Sequence, residues 1–332
     1  MSQGRDYKLD RLRIISMILV ITVHAANWYC RAISSVSPFF FTVAAVFNVF
    51  SRISVPLFFM ISGAVLLSRE YDGAKNRKRI LYKLMSLVFI TAVFYFWDRY
   101  FKGVENISII KLLAAPERVL LWFLYALLGI YIVLPFIKRM TDGMNEREDR
   151  LFLILFAVFG GLIYTLNIKP KYPVPIVGAT FWLGYFVCGH IIYKNMEKLS
   201  KKRLRKFQIP TILVCVAAAS AVASAVCLKK GSYDSSLLSY RNIFIMTAAL
   251  AAFPLFYGIL SDKRTKAAEV LSSVSFGVYL FHGIFLDLFM KYFPYRTVNP
   301  ILGIPVSVAV AFAVSAVFVY ILRKIPGIKS LL

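Results

Sequence analysis

Residues 12–32 read LRIISMILVITVHAANWYCRA, and between Arg13 and Arg31 there is no formal charge. Twenty-one residues of α-helix rise roughly 31 Å, the thickness of the hydrocarbon layer of a bilayer. The run is too long for the apolar segment of a secretion signal, and no convincing small-residue cleavage site follows it. It therefore reads as a first membrane helix, a signal anchor that stays in the membrane.

Runs of the same kind recur at 38–68, 80–101, 118–137, 151–168, 177–193, 208–228, 242–260, 270–290 and 302–322. The composition agrees. The 332 residues are 59% hydrophobic and only 17% charged, against about 45–50% and about 25% in soluble domains. A water-soluble enzyme, a disordered chain and a disulfide scaffold are excluded on these grounds. The expected fold is all-α: a polytopic membrane bundle of about ten transmembrane helices forming one domain over 1–332, in a cell membrane. The second run is long for a single helix and holds Pro56, which predicts a kink or tilt there. The fifth and sixth runs are separated only by KPKYPVP (169–175).

The net charge of +24 does not call for nucleic acid, because the basic residues sit in short loops between apolar runs. With the N-terminus in the cytoplasm, the loops that would face inward carry 27 Lys and Arg and the outward ones 12. That bias follows the positive-inside rule and places both termini in the cytoplasm. The four cysteines form no CxxC pair and lie in or beside apolar runs, so metal binding and redox chemistry have no support.

In a bilayer an ionisable side chain within a span is a functional candidate. Four stand out: His24, Arg52, His190 and His282. His24 lies about 12 residues into the first helix, roughly 18 Å along it. His282 lies at a similar depth in the ninth helix, which runs in the same direction. Arg52 falls near the middle of the second. These three share one layer, which Trp122 and Tyr125 at the outer start of the fourth helix can reach. His190 sits apart, near the cytoplasmic end of the sixth. Each histidine also has a structural alternative, a neutral imidazole hydrogen-bonded between helices. Arg52 is harder to explain that way, since it cannot shed its proton and needs an anion, carbonyls or water beside it. A buried histidine is a suitable general base near neutral pH, and a fixed cation can stabilise a developing oxyanion. Acyl transfer needs little else. Proton-coupled transport would use the same residue types, and a multispan exporter of a polymer or small metabolite is the alternative. A membrane sensor or scaffold would leave His24 and Arg52 unexplained.

Four segments together carry a resemblance. KLDRLRIISMILVITVH (8–24) holds Asp10, Arg13 and, after ten further residues, His24. RISVPLFFMISGAVLL (52–67) presents Arg52, Val55, Pro56, Leu57, Phe58, Phe59, Ser62 and Gly63. LWFLYALLGIYIVLP (121–135) contains a Trp-Phe-Leu helix start, and SFGVYLFHGIF (275–285) contains Ser275, Gly277, Tyr279 and His282. In these blocks the chain resembles the acyltransferase-3 family, integral-membrane enzymes that mainly modify bacterial surface polymers. It is similar to the short form, without an extra hydrolase-like domain. The family's Arg-x-x-Arg pair at the start of the third helix is replaced by KNRKRILYKL (75–84), where Arg79 and Lys83 are the nearest basic pair.

The resemblance implies an O-acyltransferase, with acetyl the usual group. It carries an acyl group from cytoplasmic acyl-CoA to a hydroxyl of an extracytoplasmic surface glycan or lipid-linked sugar, in contact with membrane lipid and with no nucleic acid partner. Acyl-CoA is a substrate, and no tightly bound cofactor or metal is implied. Arg13, Arg79 and Lys83 would meet the CoA phosphates, and Asp10 would orient Arg13. His24 would deprotonate the acceptor, or become transiently acylated. Arg52 would stabilise the oxyanion. Trp122, Tyr125, Tyr279 and His282 would support the site or bind the acceptor.

The charge pattern makes the orientation testable. The 194–206 segment carries seven Lys and Arg in thirteen positions. A cysteine placed at Ser200 is expected to be shielded from impermeant thiol reagents in intact cells; ready labelling there would reverse the topology.

Overall fold

A computed structural model describes residues 5–101, 103, 121–166, 181–198 and 200–332. Among these residues the chain is helical, with no strand. The helices are α1 Tyr7–Arg31, α2 Pro38–Ser51, α3 Ser54–Leu67, α4 Gly73–Phe101, α5 Trp122–Gly143, α6 Glu146–Leu155, α7 Phe181–Lys194, α8 Lys201–Lys230, α9 Ile243–Ile259, α10 Lys266–Tyr292 and α11 Pro300–Leu322. A π-helical stretch, Phe156–Leu162, prolongs α6. The KPKYPVP connection at 169–175 lies outside the described residues.

Seven helical stretches among the described residues are long and apolar enough to cross a membrane, and the chain is a membrane protein: Pro38–Leu67, Gly73–Phe101, Trp122–Gly143, Lys201–Lys230, Ser235–Ile259, Lys266–Tyr292 and Pro300–Leu322. The expected number was ten. Of the other three, α1 carries Lys8, Asp10, Arg11 and Arg13 in its first two turns. α6 opens on EREDR and is only ten residues long before the π stretch. α7 is described over fourteen residues.

The kink expected near Pro56 is a break between two helices. Pro56 has no N–H, so no i→i−4 bond can reach the carbonyl of Arg52. α2 accordingly stops at Ser51, with Arg52 as its C-cap, and α3 restarts at Ser54.

α1 is the hub. It packs on α2, α3, α9, α10 and α11, and fourteen of its residues are buried. Its start is fixed by Asp6, whose Oδ1 accepts from the N–H groups of Lys8 and Leu9 and satisfies two of the helix's otherwise unpaired donors. The other oxygen of Asp6 accepts from the hydroxyls of Tyr193 and Tyr257, both at 2.9 Å. One N-cap thus ties α1 to the ends of α7 and α9.

α3 and α7 meet backbone to backbone. A Cβ at Gly63 would lie 1.7 Å from the Phe186 carbonyl oxygen, and one at Gly189 2.2 Å from that of Met60. Small residues permit this approach, which in lipid replaces the missing hydrophobic drive for association. Gly189→Val is expected to push α7 off α3 and destabilise the protein by about 1–3 kcal/mol or more, read as a lowered Tm in detergent. Gly129→Ala, where a Cβ meets nothing within 4 Å, is the control and is expected to be neutral or slightly stabilising.

Candidate functional site

α1 and α10 run side by side in the same direction and touch at two levels. Near their starts, Arg13 Nη1 donates to Asp10 Oδ1 and to Ser272 Oγ, both at 3.2 Å, and Ser272 Oγ donates to Asp10 Oδ1 at 2.7 Å. Arg5 closes the cluster on the other oxygen of Asp10 at 2.5 Å. Asp10, 6% exposed, is therefore held between two cations and a hydroxyl, and a buried carboxylate needs such partners. Arg79 lies within electrostatic range of the Tyr131 hydroxyl, as Arg13 does. Lys83 Nζ sits 3.1 Å from the ring centroid of Phe276, one turn beyond Ser272 on α10. The structure thus gathers Arg13, Arg79 and Lys83 around the starts of α1, α4 and α10.

Eleven residues further along α1, roughly 16 Å at helical rise, the second contact is between rings. His24 and His282 have centroids 5.3 Å apart at an interplanar angle of 50°. His282 is fully buried. Its Nδ1 lies 2.7 Å from the Tyr279 carbonyl oxygen and 3.2 Å from that of Val278. Carbonyls only accept, so Nδ1 carries the proton and Nε2 presents a lone pair. That Nε2 has no hydrogen-bond partner among the described residues.

His24 opens onto a cavity of about 1100 Å³ at the end of the bundle where α1 finishes. It is the deepest α1 residue there, two turns before Arg31, and Asn27 lies one turn above it on the same face. The walls come from residues that sequence reading passed over: Trp28, Arg31, Asp98, Asp287, Lys291, Tyr295 and Arg296. Trp28 and Tyr295 meet edge to face at 5.5 Å. Aromatic faces beside carboxylates and cations suit a polar, hydroxyl-bearing ligand of sugar type.

Arg52 is not among the residues lining this cavity. It stands at the α2–α3 break, with Nε donating to Asn48 Oδ1 at 3.0 Å and the guanidinium 5.2 Å from the Tyr240 ring centroid. Asn48 Nδ2 donates to Asn27 Oδ1 at 2.8 Å, and Tyr233 Oη donates to the same oxygen at 2.9 Å. Arg52 is close enough for its charge to act on His24, and it reaches the cavity through Asn48 and Asn27.

Rings join the same two residues on the other side. Tyr279 lies 5.8 Å from His282 and 4.9 Å from Phe123. Phe123 contacts Phe59, which stacks on Trp182 at 5.0 Å. Trp182 meets Tyr240 and Trp122, at 4.6 Å. Trp122 therefore belongs to the aromatic wall near Arg52, and Tyr279 and His282 lie behind His24. Tyr125 is half-buried at the edge of the core. None of these four lines the cavity.

His190 lies at the opposite end of the bundle. Its Nδ1 is 3.2 Å from Ser68 Oγ, and it borders a separate cavity of about 740 Å³ with Lys8, Lys138, Lys194 and Lys201. Among the described residues no group of three or more His, Cys, Asp or Glu could hold a metal ion.

Besides the cavity walls, sequence reasoning missed Asn27, Asn48, Tyr233 and Tyr240. Two carried a signal: Asn27 is three residues after His24 and Asn48 four before Arg52, so each shares a helical face with a candidate. Tyr233 and Tyr240 come from the segment between α8 and α9, where spacing says nothing of contacts.

The model of one protein family, described as an acyltransferase domain, matches residues 6–320. No curated protein matches the chain, and no solved structure does.

Proposed function

The chain belongs to the acyltransferase-3 family, and from that premise we propose that it is a transmembrane O-acyltransferase that moves an acetyl group from cytoplasmic acetyl-CoA to a hydroxyl of a surface glycan or lipid-linked sugar outside a bacterial cell membrane. The observation that carries this reading is His24. Its ring is backed by a second histidine of fixed tautomer and opens onto a cavity large enough for sugar residues.

In this reading all ten segments span the membrane in one domain, with both ends cytoplasmic, so that the start of α1 faces the donor and its end faces the acceptor. Arg13, Arg79 and Lys83 attract the phosphates of CoA, with Arg13 oriented by Asp10. The flexible pantetheine arm carries the thioester the roughly 16 Å from Arg13 to His24. The acceptor hydroxyl enters from the cavity. As its oxygen attacks the thioester carbon, its proton passes to His24. Collapse of the tetrahedral adduct breaks the C–S bond, and the departing thiolate takes the proton back from His24. His282, with its lone pair beside His24, stabilises the imidazolium and holds the ring in place. Tyr279 packs His282 from behind, and Trp122 and Tyr125 support the α5 side of the site. Arg52 supplies the fixed positive charge that favours the oxyanion.

His24→Ala is expected to abolish acetyl transfer while expression and Tm stay near normal; near-normal turnover would make His24 a packing residue. His282→Ala is expected to lose only part of the activity, because it acts through His24. For Arg52, both Arg52→Lys and Arg52→Met are expected to lower turnover by roughly a hundred- to a thousandfold with little change in CoA binding, since lysine keeps the charge but not the planar fork. Loss of CoA binding with turnover retained at saturating donor would instead place Arg52 in the donor site. Purified protein assayed for both CoA binding and acetyl transfer checks all four variants.

A further inference from the structure

Arg52 is the fixed charge of the site, yet its side chain is taken up by Asn48, Tyr233 and Tyr240, short of the cavity. What faces the cavity is decided by a sequence of donors and acceptors with only one consistent assignment. A guanidinium can only donate, so the Asn48 atom that Arg52 Nε meets at 3.0 Å is Oδ1. The other arm of that carboxamide is then N–H₂, and it meets Asn27 at 2.8 Å. The Asn27 atom receiving it is an oxygen, because two N–H₂ groups cannot bond each other. Tyr233 Oη, at 2.9 Å, gives that oxygen a second donor. The N–H₂ of Asn27 is left over. No protein group among the described residues takes it, it is not sealed from open space, and Asn27 lines the cavity one turn from His24. Carboxamide orientation is ordinarily ambiguous; here an arginine fixes it twice over.

We infer that the side-chain amide of Asn27 is the hydrogen-bond donor to the oxyanion that forms at the thioester carbonyl, and that Arg52 acts on the reaction through Asn48 and Asn27. This rests on the acyl-transfer reading above. Each N–H in the chain Arg52–Asn48–Asn27 polarises the next, so the last is a stronger donor than a lone amide. Such a preorganised donor favours the charged adduct over the neutral thioester. When the acceptor oxygen adds to the carbonyl carbon, its proton goes to His24 and the carbonyl oxygen takes the negative charge beside Asn27 Nδ2. When the C–S bond breaks, the charge leaves with the thiolate and the oxygen is a carbonyl again.

Two substitutions separate this role from packing. Asn27→Asp keeps an oxygen toward Asn48 and Tyr233 but turns an oxygen toward the cavity. Asn48→Asp does not touch the cavity; it keeps its bond to Arg52 and offers Asn27 an oxygen, so the Asn27 carboxamide has to reverse and present its own oxygen to the substrate. Both are expected to lower kcat by roughly a hundred- to a thousandfold, with KM for acetyl-CoA and Tm within the range of the wild type. The assay is acetyl-CoA consumption by membrane vesicles containing the protein and the cell's own surface glycan. If the wild type is active and both variants stay within about threefold of it, the inference is wrong. A wild type that does not consume acetyl-CoA overturns the acyl-transfer reading and the oxyanion role with it. The orientation has its own measurement, side-chain amide hydrogen exchange on ¹⁵N-asparagine-labelled protein. The Asn27 N–H₂ is expected to exchange with water while that of Asn48 is protected; a protected Asn27 amide overturns the assignment.

Discussion

Arg52 stands where two helices fail to join, and the interior of the bundle is organised around satisfying it. Pro56 removes the N–H that would have continued the ladder onto the Arg52 carbonyl, so α2 ends and α3 begins again after a gap of two residues. A cation released into lipid at that point would be costly, by about 2.5–3.5 kcal/mol on insertion scales. Asn48, one turn earlier on the same helix, takes the Nε, and Tyr240 places its ring beside the guanidinium. Asn48 in turn binds Asn27. The same bonds that make the arginine tolerable therefore pin α2 to α1, at the level of the histidine pair.

The second constraint is register. α1 and α10 are parallel, and each carries a polar residue near its start and a histidine ten or eleven residues later: Arg13 and His24 on one, Ser272 and His282 on the other. Two parallel helices of equal rise can satisfy both contacts at once only if they do not slip. A shift of one turn would break the Asp10 cluster and leave His24 facing Val278 or Leu286 instead of an imidazole. The inner cluster thus holds the reacting end in place from roughly 16 Å away.

Much of this could be read before the helices were placed. The helical class follows from runs of apolar residues whose length matches a bilayer, and the interruption at Pro56 from the missing N–H. That His24 and His282 lie at a similar depth follows from counting residues from the same face of the membrane; that their rings touch does not. The count of spans was less legible. Charges crowd the first turns of α1, acidic residues open α6, and α7 is described over only fourteen residues; among the described residues seven stretches meet the length and apolarity of a membrane helix. The site was legible only in part. Asn27 and Asn48 carry none, and a search for ionisable groups passes over them although they line up with His24 and Arg52. Tyr233, Tyr240 and Tyr295 reach the site from the ends and connections of helices distant in the chain, where periodicity has nothing to report.

The glycine contacts between α3 and α7 also have a consequence for how the chain is made. Ser68 at the end of α3 and its partner His190 on α7 are 122 residues apart. At about 5–20 residues per second, α3 is in the bilayer for roughly ten seconds before α7 emerges from the ribosome. During that interval its small-residue face meets lipid, and its neighbours are α1, α2 and, once made, α5, whose Phe123 packs on Phe59. The carboxamide bridge from Arg52 to α1 requires only segments already synthesised, so it can close at once. The polar core then acts as the early fastener of biogenesis, and the dry backbone contact as the late one.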